Sequence, residues 1–172
     1  MRWLTFAVAG WVITSTGSAQ TVDVAYLVSG LERQRAVLIE FVNAAPDSVL
    51  GFRPTPGVRT YAEQIEHIAQ STGSIMRQLV GTEREPQAPA RDRYLHDKVS
   101  LRGYVQIQFD DAIANVRRLQ PASLNSEVTV FGLTKTIWGW VIGIQEHNAW
   151  TLGAVVPYLR LNGVTPPPYL PF

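Results

Sequence analysis

The chain contains no cysteine. Disulfides, thiolate-bound metals, a cysteine nucleophile and a lipid-carrying cysteine are all excluded by that absence. Nor is there a surplus of charge of either sign: 15 Lys and Arg stand against 14 Asp and Glu in 172 residues. A near-neutral chain with scattered arginines lacks the basic footprint that a phosphate backbone demands, so nucleic acid is not an expected partner. No G-x-S-x-G, P-loop or G-x-G-x-x-G occurs, which removes the nucleophile-elbow hydrolase and nucleotide-binding readings. Beyond the N-terminus there is no apolar run of the roughly 20 residues a membrane span needs. Residues 137–144 are apolar, but Gln145-Glu146-His147-Asn148 interrupts them.

The N-terminus reads as a secretory signal. Arg2 supplies the positive start, residues 3–13 a short apolar stretch, and Gly17-Ser18-Ala19 small residues suited to cleavage after Ala19. The alternative is an uncleaved N-terminal anchor. The signal implies a secreted or periplasmic protein. Setting residues 1–19 aside removes one charged side chain, Arg2, and leaves 14 charges of each sign.

Residues 22–172 have the length of one domain with a sizeable core. Leu27, Leu31, Val37 or Leu38, and Phe41 form a helical apolar stripe, which predicts a first helix over 22–44, closed by Pro46. Residues 51–59 carry the prolines and glycines of a loop. Thr60 and Glu63 form a capping box for a second helix running to about Val80. A long, charged, proline-containing connection spans 82–96. A third helix follows over about 99–119, opened by Asp97 or Ser100. Residues 127–131 are β-prone, but one isolated strand makes no sheet. Thr134 is placed to cap a fourth helix from about Lys135 to Leu161, stopped by Asn162-Gly163. The fold class is therefore all-α: a four-helix bundle with a long connection between its second and third helices, preceded by a signal peptide. The fourth helix is apolar almost all round and should be the most buried, with Trp138, Trp140 and Trp150 in the core. Polar residues on such a helix are costly unless paired or liganded.

Two histidines are candidate metal ligands. His147 lies on the fourth helix, with Thr151 one turn later on the same face. A neutral imidazole inside a bundle suits zinc or nickel; the alternative is a core histidine bonded to a backbone carbonyl or to Glu63, Glu66 or Gln70. His67 sits about 140° from the centre of the stripe formed by Ile65, Ile68, Ala69, Thr72, Ile75, Met76 and Leu79, at about 100° per residue. That offset argues against deep burial and is compatible with a cleft at one end of the bundle or with a solvated side chain. His96, beside Asp97 and Lys98, reads as a surface residue. Two histidines fall short of the three protein ligands usual in catalytic zinc sites, and Glu63 or Glu146 is a candidate to complete the set.

Phe52-Arg53-Pro54-Thr55-Pro56-Gly57-Val58-Arg59-Thr60, followed by Glu63 and His67-Ile68-Ala69, resembles the second-helix region of the DinB-like (DinB/YfiT) family. Glu146-His147, Gly153 and Tyr158-Leu159-Arg160-Leu161-Asn162-Gly163 resemble its fourth-helix region. The resemblance implies a four-helix bundle, often a homodimer. It further implies a divalent metal held by one histidine of the second helix and an H-x-x-x-H pair of the fourth. His67 matches the first ligand and His147 the second; Thr151 stands where the third histidine would be, and Ala154 where a glutamine is common. Some members transfer low-molecular-weight thiols such as bacillithiol, mycothiol or glutathione. The expectation is a DinB-like domain with a reduced zinc or nickel site and, if enzymatic, metal-dependent transferase or hydrolase-like activity. The alternative is a non-catalytic extracytoplasmic bundle that binds a small molecule or serves as a structural dimer.

Overall fold

The structure, a computed structural model, describes residues 22–168. The signal-peptide reading over 1–19 and the last four residues of the expected domain lie outside that range. Four long helices carry most of the described chain: α1 (Val24–Ala44), α3 (Tyr61–Leu79), α5 (Lys98–Arg117) and α6 (Ile137–Leu161). Two single-turn helices, α2 (Asp47–Leu50) and α4 (Arg91–Tyr94), and a 3₁₀ turn (Pro121–Ser123) lie in the connections. No helix among the described residues is long and apolar enough to cross a membrane.

The helix starts follow side-chain capping, which satisfies backbone N–H groups that lack intrahelical partners. Asp23 accepts from the Ala25 N–H and opens α1. At α3 the capping box is complete: Glu63 N–H donates to Thr60 Oγ1 at 3.2 Å, and Thr60 N–H to Glu63 Oε2 at 2.7 Å. Asp97 takes the Ser100 N–H at 2.8 Å and opens α5.

The expectation of an all-α chain is corrected between α5 and α6. Strands β1 (Glu127–Val130) and β2 (Leu133–Thr136) pair antiparallel, with Val130 opposite Leu133 and Glu127 opposite Thr136. The turn between them is Phe131-Gly132, with φ of 52° and 75°. Positive φ at both central residues is what a two-residue hairpin turn requires. Lys135 and Thr136, expected to open the fourth helix, are thus strand. The α6 cap moves from Thr134 to Thr136, whose Oγ1 accepts from Gly139 N–H at 3.1 Å.

The long helices pack side by side, α5 against α1 and α3, and α6 against α3 and α1. The expectation that α6 is the most buried helix, with Trp150 in the core, is also corrected, since α3 buries a larger share of its residues. Val141, Ile144, Val155 and Leu159 face inward, whereas Trp150 is 82% and Leu161 65% exposed. A helix resting on two neighbours buries one side only, whatever the composition of the other. The buried apolar side chains form two clusters, one containing Tyr61, Phe109 and Leu159, the other Leu27, Met76 and Val141. Between these clusters α1, α3 and α6 contribute the polar side chains Gln34, Thr72 and Asn148. The candidate site adjoins that polar layer.

Candidate functional site

His67 comes from the middle of α3 and His147 from the middle of α6. Their rings meet edge to face with centroids 5.0 Å apart, and their Nε2 atoms lie 3.2 Å apart. Both residues are half-buried, so His67 is neither in the deep core nor free in solvent.

The hydrogen bonds around the pair fix which nitrogen carries a proton. Thr72 Oγ1 donates to the Ile68 carbonyl and accepts from Asn148 Nδ2 at 2.8 Å. The same Nδ2 donates to Gln34 Oε1 at 2.9 Å, and Gln34 Nε2 donates to the Gln145 carbonyl. With both amide protons committed, Asn148 presents its carbonyl oxygen to His147 Nδ1 at 3.3 Å. An oxygen there needs a donor, so His147 is protonated on Nδ1 and its Nε2 bears a lone pair. That lone pair faces His67 Nε2, which donates its proton across the 3.2 Å gap. His67 Nδ1 then accepts from Ser71 Oγ at 3.4 Å.

Protonation of His67 is disfavoured. Burial depresses its pKa most, the Arg59 guanidinium and His147 act in the same direction, and Glu66 opposes them. A neutral imidazole is the form that can bind a cation.

The carboxylates near the pair are otherwise engaged. Glu66 accepts from Arg91 through both oxygens at 2.7 Å and from Tyr94 Oη at 2.5 Å. Glu63 serves the α3 cap, whose Thr60 N–H, more than Arg53 and Arg91, holds its carboxyl below the usual range. Glu146 is exposed on α6. No group of three His, Cys, Asp or Glu side chains suited to a metal occurs among the described residues. Thr151 is buried on α6, one turn beyond His147. His96 is exposed and pairs with the Asp92 carbonyl at 2.8 Å, away from the other two histidines in role. Gln70 is exposed, so none of the three side chains considered as partners of His147 is bonded to it.

The sequence pattern of the DinB superfamily matches residues 30–155, a stretch that includes both histidines. The chain belongs to the DinB superfamily. Its fold is like that of a DinB-like protein from Bacillus cereus ATCC 10987, with a TM-score of 0.70 at 14% identity, over 85% of this chain and 97% of that one. A DinB-like protein from Bacillus subtilis gives a TM-score of 0.66 at 18% identity, over 85% and 95% of the two chains. At such identities the likeness concerns the fold. No curated protein matches the chain.

Asn148, Thr72, Gln34 and Ser71 complete the surroundings of the DinB histidines and were not singled out by sequence reasoning. Their signal was a weak one, polar side chains interrupting apolar helices at similar depth. Which of them meet across the interior depends on helix register, which periodicity does not supply.

Proposed function

We propose that this DinB-like four-helix bundle holds one divalent cation, zinc or nickel, between His67 Nε2 and His147 Nε2. The observation that carries the reading is the 3.2 Å separation of those atoms. Two ligands each about 2.1 Å from one ion lie roughly 3.0–3.4 Å apart for octahedral to tetrahedral angles. Binding needs only that His67 Nδ1 take the proton from Nε2 and donate to Ser71, while Asn148 keeps His147 in the required tautomer. Such an ion supplies Lewis-acid chemistry, polarising a bound oxygen or lowering the pKa of a bound nucleophile. A metal-dependent transferase or hydrolase-like activity fits that chemistry. The test is elemental analysis of the purified protein beside His147→Ala. Stoichiometric metal lost in the variant supports the reading; equal, substoichiometric metal in both overturns it.

A second reading, binding of a small molecule without catalysis, is favoured by an apolar cavity of about 310 Å³ between α1 and α6. Val37, Phe41, Leu152 and Val156 line it, with Arg33, Gln34 and Asn148 as charged and polar groups. Its volume lies at the lower end of small-molecule sites.

A further inference from the structure

Arg53, Arg59 and Arg91 share one cavity with Glu63 and Glu66. It has a volume of about 270 Å³ and lies between the loop before α3, the first turns of α3 and the short helix α4. Neither His67 nor His147 lines it, so it is distinct from the histidine pair. Three guanidiniums there face two carboxylates. Like charges gathered in one cavity repel, and an anion among them relieves that repulsion.

The two carboxylates have little capacity to spare. Glu66, with a side chain only 9% exposed, accepts from Arg91 Nε and Nη2 at 2.7 Å each and from Tyr94 Oη at 2.5 Å. Glu63 Oε2 takes the Thr60 N–H that caps α3. The guanidiniums are less committed. Each carries five N–H donors. Arg91 spends two of them on Glu66. Arg53 makes a long ion pair with Glu63, at 3.7 Å, beyond hydrogen-bond reach. The Arg59 guanidinium forms no ion pair or hydrogen bond among the described residues.

Arg59 nevertheless leaves from a fixed point. Its carbonyl accepts from Tyr158 Oη at 2.9 Å, and the next residue, Thr60, caps α3. A positioned arginine without a protein partner, beside two others steadied by carboxylates, is the arrangement that recognises a planar or tetrahedral oxyanion. Guanidinium forks match the paired oxygens of such groups.

We infer that this cavity binds a small organic anion through its carboxylate or phosphate group, with Arg59 as the principal contact and Arg53 and Arg91 beside it. Glu63 and Glu66 orient the two flanking arginines and limit the excess charge, which favours one small ligand over a polyanion.

The test is isothermal titration of the full chain, freed of metal beforehand, with inorganic phosphate and with malonate at low ionic strength. The result therefore does not depend on a cation at the histidine pair. Saturable binding of either probe is expected, and the tighter of the two names the oxyanion. Arg59→Gln should weaken it by about tenfold or more, the loss of one charge-assisted contact. Glu63→Gln removes a carboxylate yet keeps an oxygen for the Thr60 N–H, and should tighten binding by about threefold or more. A variant that had merely misfolded would not bind more tightly. Arg118→Gln, which removes an equal charge at the C-terminal end of α5, should bind as the parent does. The proposal is overturned if neither probe binds saturably, if Arg59→Gln binds as the parent does, or if Arg118→Gln weakens binding as much as Arg59→Gln, which would reduce the effect to net charge.

Discussion

His67 Nε2 and His147 Nε2 lie 3.2 Å apart although 80 residues separate them in the chain. One is held from behind by Ser71, the other by Asn148, so each ring presents the same nitrogen to the shared gap. The pair is thus oriented by side chains of its own helices.

Thr151→His should place a third imidazole one turn from His147 on the inward face of α6. Zinc or nickel affinity is expected to rise by at least about tenfold, measured by competition with a chromophoric chelator. An unchanged affinity would show that position 151 does not address the gap between the two rings.

Acid should loosen the metal-free fold through His67. Its folded pKa lies below the ordinary 6.5, chiefly through burial, so between the two values the unfolded chain binds more protons. Stability from this group is fully present above about pH 6.5 and is lost as pH falls through the window below it. Denaturant midpoints taken near pH 7.5 and pH 5 with chelator present should fall less for His67→Gln than for the parent chain. Equal losses would remove His67 from the account.

Asn148 is only 3% exposed and joins α1, α3 and α6 through one side chain. Asn148→Ala removes its bonds to Gln34 and Thr72 and leaves their buried oxygens with one partner fewer. A loss of about 2–3 kcal/mol in urea unfolding is expected. Metal affinity should also drop, since the His147 tautomer is no longer imposed. A change below about 0.5 kcal/mol would mean that the polar layer contributes little.

The hairpin turn offers the opposite sign. Phe131 has φ of 52° and its side chain is 76% exposed, so the backbone conformation is unfavourable for a bulky residue and little packing offsets it. Phe131→Asn should therefore stabilise the fold by roughly 0.5–1 kcal/mol, with a matching rise in Tm. A fall in Tm would point to a role for the ring that its exposure does not reveal.

Local signals were legible where the physics is local. The Thr60–Glu63 capping box, the Asp97 cap and the stripes of α1 and α3 depend on neighbours within a turn or two, and they stand where the pattern put them. The Leu133–Thr136 strand was not legible as such, because Thr134 and Thr136 offer equally good caps. Pairing with Glu127–Val130 chose between them. Trp150 misled for a related reason: composition says how apolar a helix is, while the number of neighbours says how much of it is covered.

The sequence alone determined that the chain is mainly helical, where three of the four long helices begin, and that two histidines sit on a DinB-like pattern with threonine at the expected third place. These follow from periodicity, capping chemistry and motif order, all carried within short stretches of chain. Only the tertiary structure decided that the two rings face each other and that Asn148 and Ser71 orient them. Those relations depend on the register of α3 against α6. That register is set by how two apolar clusters and the polar layer between them pack together, a sum over the whole interior that no single segment encodes.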